Sequence, residues 1–144
     1  MIVVTSNEER VMNDGQKKQT TIFLIEEDDE TRRPLVSNLR GYGYRVVVAV
    51  DEEDALERIG GAGVDSDLVL VNLVGKTAGE VLGVGRRVRE HAKCDGHTPL
   101  VVMPEKYGKD SEGKDVNVER NDWILYLGEE PDQLRNLLAR LLHA

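Results

Sequence analysis

Cysteine, aromatic residues and long apolar runs are scarce in this 144-residue chain. The single cysteine, Cys94, excludes an internal disulfide and is typical of a reducing compartment. Aromatic residues make up only 4%, so a core must be built from Leu, Val, Ile and Ala. No apolar run approaches the roughly 20 residues that span a bilayer, and Met1–Thr5 is too short for a signal peptide. We therefore expect a cytoplasmic protein without a membrane partner.

Basic residues are also fewer than acidic ones, with 19 bases and 27 acids, so the formal net charge is −8. Nucleic acids are bound through a basic face, so a direct nucleic-acid partner is not expected. Hydrophobic residues make up 40% of the chain, enough for a single folded core. The first twenty residues are polar after Val4, and we interpret residues 1–20 as an arm or tail, in which Met1–Thr5 could add an edge strand. Residues 21–144 then form one domain.

From Thr21 onward, buried strands alternate with amphipathic helices. The predicted strands are Thr21–Ile25, Tyr44–Ala49, Asp67–Asn72, Pro99–Met103 and Trp123–Leu127. The predicted helices run from Thr31–Arg33 to Arg40, from Asp51 to Gly60, from Ala78 to Ala92, and from Pro131 to the end. The start of the first helix is set by Pro34, because proline suits only the first turn of a helix. The alternation predicts right-handed βαβ units and a parallel α/β sheet.

One helix is missing from this alternation. Residues 104–122, between the fourth and fifth predicted strands, lack helical periodicity and are rich in Gly, Asp and Lys. We expect a loop or one short turn there, and such long loops in compact domains are often functional or mobile.

The chain resembles the receiver domain of two-component response regulators from about Thr21 to Ala144. The resemblance is carried by a strand that runs into two acids, Phe23–Glu27, by a second strand, Gly43–Val47, by the helix start Asp51–Leu56, and by the strand that ends at Asn72. It implies a flavodoxin-like (βα)5 fold with a doubly wound parallel five-stranded sheet, whose fourth helix is here reduced or replaced by a loop.

The functional positions of that family are altered in this chain. Glu26 and Glu27 match the acidic pair that binds magnesium, and can bind Mg²⁺ only weakly because each extra methylene moves the oxygens. Asn72 matches the phosphoacceptor Asp, and an amide is a poor nucleophile. Pro104 falls where a Ser or Thr hydroxyl is expected, and Leu127 where a Lys is expected. Phosphoryl transfer depends on positioning and charge, so the resemblance implies a degenerate pseudo-receiver.

These positions predict a non-catalytic, phosphorylation-independent signalling module that needs no cofactor and acts through protein contacts. A protein partner or a second copy would be contacted through Trp123, Tyr126 and the final helix. The alternative is a receiver-like sensor that binds a small molecule or cation in a pocket at Glu26, Glu27 and Asn72. An enzyme is not expected, because no nucleophile–base pair can be assembled from the sequence.

Two other motifs are weak. Gly75-Lys76-Thr77 follows a strand but lacks the glycine-rich loop of a phosphate-binding site. His91, Cys94 and His97 have a spacing that could offer three metal ligands, but a helix end followed by a turn is the favoured interpretation.

Overall fold

Six strands and four α-helices form one α/β sheet structure in the computed structural model, which describes residues 19–60, 63–92 and 97–143. The order is β1 (Thr21–Glu26), α1 (Asp29–Gly41), β2 (Arg45–Ala49), α2 (Glu52–Ile59), β3 (Leu68–Asn72), α3 (Ala78–His91), β4 (Leu100–Met103), a short 3-10 helix (Lys109–Ser111), β5 (Asp115–Glu119), β6 (Asp122–Leu125) and α4 (Gln133–His143). The predicted arm lies outside the described residues except for Gln19 and Thr20, and so does Cys94.

The sheet is doubly wound, with strand order β2-β1-β3-β4-β6-β5. The interior strand β1, whose six residues are all buried, pairs in parallel with both β2 and β3. One face packs under α2 and α3 around Phe23, and the other packs under α1 and α4 around Leu24. The fold class predicted from the alternation of strands and helices is therefore confirmed. No helix among the described residues has the length and apolarity to cross a membrane.

The predicted five-stranded parallel sheet is wrong in one respect, because a sixth strand pairs antiparallel at the edge. Residues 115–119 form β5, which makes a hairpin with β6, where a loop or short turn was expected. The turn contains Arg120 at a φ of 48°, and the register shifts between Asn117 and Glu119. Between β4 and β5 the described chain has only the three-residue 3-10 helix, so the expected loss of the fourth helix is confirmed.

The hairpin is tied to the body of the protein by a buried acid. Asp122, at the start of β6, is 3% exposed and accepts a hydrogen bond from Arg86 Nε at 2.8 Å. Arg89 Nη1 lies 2.6 Å from its other carboxylate oxygen. Two arginines of α3 thus neutralise one buried carboxylate, and buried charges need such partners.

Helix α1 begins earlier than predicted, at Asp29 rather than at Thr31–Arg33. Asp28 is the N-cap, and its carboxylate accepts hydrogen bonds from Glu30 N at 3.1 Å and from Thr31 Oγ1 at 2.6 Å. This cap sets the start, and Pro34 is tolerated inside the helix. The predicted cap of α2 by Asp51 is confirmed by a 2.8 Å bond from Asp54 N.

Helix α3 approaches β4 closely at Gly85. A Cβ built on Gly85 would lie 2.6 Å from Leu100 Cδ1 and 3.0 Å from its Cδ2, and Leu100 is fully buried. Gly79, in the exposed first turn of the same helix, has nothing within 4 Å of a built Cβ. The glycine at position 85 is therefore a packing requirement.

We predict that Gly85→Ala lowers the free energy of unfolding while Gly79→Ala raises it. Overpacking against Leu100 costs about 1–3 kcal/mol, whereas relief of glycine entropy in an exposed turn contributes about 0.5–1 kcal/mol. Urea denaturation of both variants measures the difference. Equal stability of the two variants would contradict the close packing of α3 on β4.

Candidate functional site

The candidate site lies where β1 and β3 end, at the carboxyl edge of the sheet. The parallel register pairs Glu26, the last residue of β1, with Asn72, the last residue of β3. Ligand sites of open α/β sheets lie outside this edge. The structure therefore brings together three of the predicted site residues, Glu26, Glu27 and Asn72.

Glu26 is a fully buried carboxylate whose oxygens are both hydrogen bonded. Asn72 Nδ2 donates to Glu26 Oε1 at 2.8 Å, and the backbone N–H of Asp28 donates to Oε2 at 3.1 Å. Burial raises the pKa of Glu26, and the bond from Asn72 opposes that shift. The amide at position 72 thus serves as a hydrogen-bond donor to a carboxylate that is shielded from water.

Glu27 faces the loop that follows β3. Its Oε1 accepts a hydrogen bond from Val74 N at 2.8 Å, and its backbone N–H donates to Asn72 O at 3.2 Å. Each acid of the predicted metal-binding pair therefore accepts at least one hydrogen bond from the protein itself.

Arg32 fixes the backbone of the two acids and was missed in the sequence. Its Nε donates to Glu26 O at 2.9 Å, its Nη2 donates to Glu27 O at 3.2 Å, and its Nη1 pairs with Asp29 at 2.8 Å. The available signal was a base in the first helical turn after a run of acids. The Arg32 guanidinium donates to the backbone carbonyls of both acids and so orders the loop, whereas the side-chain donor to the Glu26 carboxylate is Asn72.

Glu105, which follows β4, bonds the loop after β3 at the edge of the site. It was not identified from the sequence. Its Oε1 accepts a hydrogen bond from Gly75 N at 2.5 Å, where Gly75 has a φ of 66° that favours glycine. Lys76 O accepts from the backbone N–H groups of Glu105 at 3.2 Å and Lys106 at 3.3 Å. The Gly-Lys-Thr segment is therefore held as a structural loop.

Pro104 and Leu127 are placed differently from each other. Pro104 is buried directly after β4. Leu127 is 42% exposed, and its carbonyl accepts a hydrogen bond from the Tyr107 hydroxyl at 2.6 Å. Since Val102 pairs with Ile124, an extension by two residues puts Tyr126 beside Pro104. Leu127 follows Tyr126 by one residue, and a one-residue offset turns a side chain to the other face of a strand.

The predicted metal ligands that lie among the described residues are His91, His97, Glu26 and Glu27. Within residues 19–60, 63–92 and 97–143, no three His, Cys, Asp or Glu side chains are grouped to hold an ion. His91 instead places Nδ1 2.9 Å from Arg87 O. Glu26 and Glu27, which match the expected magnesium pair, accept the hydrogen bonds described above.

The fold is shared with response-regulator receiver domains. No protein-family model and no curated protein matches the chain. A response regulator receiver protein from Sinorhizobium medicae is similar, with 22% identity and a TM-score of 0.65 over 88% of this chain and 97% of that one. A response regulator from Thermotoga maritima is 21% identical with a TM-score of 0.61, over 88% and 100%. One from Clostridium difficile is 19% identical with a TM-score of 0.61, over 87% and 97%.

We predict that Glu26→Gln flattens the pH dependence of stability. The pKa of Glu26 is raised in the folded state, so the folded protein binds more protons than the unfolded chain above about pH 4.5. The contribution of Glu26 to stability is therefore full below that pH and is lost as pH rises through the folded pKa. The variant lacks this loss, so its stability relative to wild type rises with pH.

Urea denaturation between pH 4 and 8 measures this, with Glu53→Gln, an exposed acid of α2, as the matched control. The control should run parallel to wild type. A parallel curve for Glu26→Gln would show that the buried carboxylate does not titrate as described.

Proposed function

We propose that this chain is a non-catalytic, receiver-like signalling module that acts through protein contacts and does not depend on phosphorylation. The observation that carries the proposal is the 2.8 Å hydrogen bond from the Asn72 amide to the buried Glu26 carboxylate. Asn72 acts there as a hydrogen-bond donor, whereas phosphoryl transfer would need a carboxylate nucleophile.

The chemistry of the strand ends supports this proposal. An amide is a poor nucleophile, and Asn72 has its nitrogen engaged as a donor to Glu26. Pro104 has no hydroxyl to bind a phosphoryl oxygen, and Leu127, the residue expected at the position of a lysine, carries no charge. Phosphoryl transfer needs charge stabilisation of the transferred group, and neither residue provides it. The same lack of a nucleophile–base pair argues against another enzymatic activity.

The expected contact surface is divided between two faces of the sheet. Trp123 packs on the α4 face, and the Arg140 guanidinium lies 5.8 Å above its ring. Tyr126 lies on the opposite face, where its ring meets Tyr107 edge-on at 5.1 Å. The Tyr126 face is the one left without a fourth helix, and Val116 is 40% exposed on it. We propose that a protein partner or a second copy contacts Trp123 with α4, or Tyr126 with the hairpin.

We predict that the protein gains no phosphoryl group from acetyl phosphate or phosphoramidate in the presence of Mg²⁺. Intact-mass spectrometry is the measurement. Asn72→Asp alone should not restore efficient phosphorylation, because Pro104 still supplies no hydroxyl and Leu127 still supplies no cation. A base-labile adduct at position 72 in either protein would contradict the proposal.

We predict that any self-association is constitutive and unaffected by phosphodonors. Sedimentation velocity over a concentration series measures it. Val116→Ser on the Tyr126 face and Asn136→Glu on the exposed side of α4 report which face is used, since each alters one surface and leaves the core intact. A strict monomer at all concentrations would remove the second copy and leave only a different protein as partner.

A further inference from the structure

An open groove runs between α1 and the edge strand β2. It has a volume of about 350 Å³ and is lined by Arg32, Arg33, Val36, Ser37, Arg40 and Val48. Strand β2 is the last in the sheet order and pairs only with β1 among the described strands, so no further described strand borders the groove. The half-buried Val36 and Val48 give it an apolar floor.

Four residues of α1 form a single stripe along this groove. Arg33, Val36, Ser37 and Arg40 follow the i, i+3, i+4, i+7 spacing that places side chains on one face of a helix. The two arginines are the ends of the stripe, about 10 Å apart along the helix axis. The small side chain of Ser37 lies between them, and a small residue at a contact lets a second helix approach closely.

The two arginines at the ends of the stripe have no ion-pair partner in the described part of the chain. Arg33 and Arg40 are exposed, and no carboxylate among the described residues pairs with either. Arg32, in contrast, is engaged with Asp29 and with two backbone carbonyls. In a chain of net charge −8, two unpaired cations beside an apolar floor favour an acidic partner that also carries apolar side chains.

The described helices of this chain do not offer such a surface. Acids occur in α1, α2 and α3, but no described helix has two acids seven residues apart, and α4 has none. A second copy therefore cannot pair both arginines through one of these helices. The occupant that fits the stripe is a helix of a different protein.

We propose that the α1–β2 groove binds an acidic amphipathic helix of a partner protein. Two carboxylates seven residues apart on that helix face Arg33 and Arg40, and the apolar side chains between them cover Val36 and Val48. The same spacing on both helices gives the same advance of about 10 Å, so both charge pairs and the apolar contact form together. Exposed ion pairs contribute little alone, so the apolar contact is part of the site.

The test uses an alanine-rich helical peptide with two glutamates seven residues apart and two leucines at the third and fourth positions between them. The control peptide has the same composition with the glutamates five residues apart, which puts them on different faces of the helix. In an amide NMR titration of the full chain, we expect the first peptide to shift residues 33–40 and Val48. We expect the control peptide to bind at least about tenfold more weakly.

Variants of the protein separate charge from shape. Arg33→Glu with Arg40→Glu should weaken binding of the first peptide by about tenfold or more, because each carboxylate then meets a like charge. Ser37→Gln, which fills the middle of the groove, should also weaken binding, and Ser37→Ala should retain it. Lys109→Glu with Lys114→Glu makes the same change of charge near the opposite sheet edge and should leave the affinity unchanged.

Equal affinity for the two peptides, or an equal loss in the lysine variant, would overturn the proposal, because the attraction would then be general. Binding of anionic lipid vesicles through Arg33 and Arg40 without binding of the peptide would overturn it in favour of a membrane surface. The site rests on the proposed role in protein contacts but lies far from Trp123 and Tyr126 in the strand order. Peptide shifts centred on those two residues would overturn this site and leave that role standing.

Discussion

The hydrogen bond from Asn72 to Glu26 is the interaction on which the candidate site depends. It joins the ends of two neighbouring interior strands, β1 and β3, and supplies the donor that a fully buried carboxylate requires. Removal of one partner from such a buried pair leaves a charge without compensation. The neighbouring contacts hold this geometry, since Arg32 fixes the backbone of the acids and Glu105 fixes the loop after β3.

An amide at position 72 changes the electrostatics at the ends of β1 and β3. Two carboxylates within hydrogen-bond distance repel each other, and a cation would relieve that repulsion. Here the amide supplies a donor in place of a second negative charge, so the site is satisfied by its own atoms. The fold shared with receiver domains does not by itself assign a function, and the proposed role rests on this altered site.

The parts predicted correctly from the sequence are those that local patterns specify. The apolar runs of β1 and β3 and the cap at Asp51 carry their own signals. The hairpin strand β5 was missed because its valines are exposed at an edge, so its two-residue alternation marks no buried face. The offset between Leu127 and Tyr126 depends on how β6 pairs with β4, and the contacts of Arg32 and Glu105 depend on the closed loops. Neither strand register nor loop closure is visible in a local pattern.

The most direct test is the magnesium dependence of stability in Asn72→Asp, compared with wild type and with Asn136→Asp on the exposed side of α4. In EDTA at pH 7, Asn72→Asp should lose about 1–3 kcal/mol of unfolding free energy, because Glu26 loses its donor and gains a like charge. Added Mg²⁺ should recover part of that loss in this variant alone. If Asn72→Asp is as stable as Asn136→Asp in EDTA, or if Mg²⁺ stabilises wild type equally, the amide does not hold the site as described.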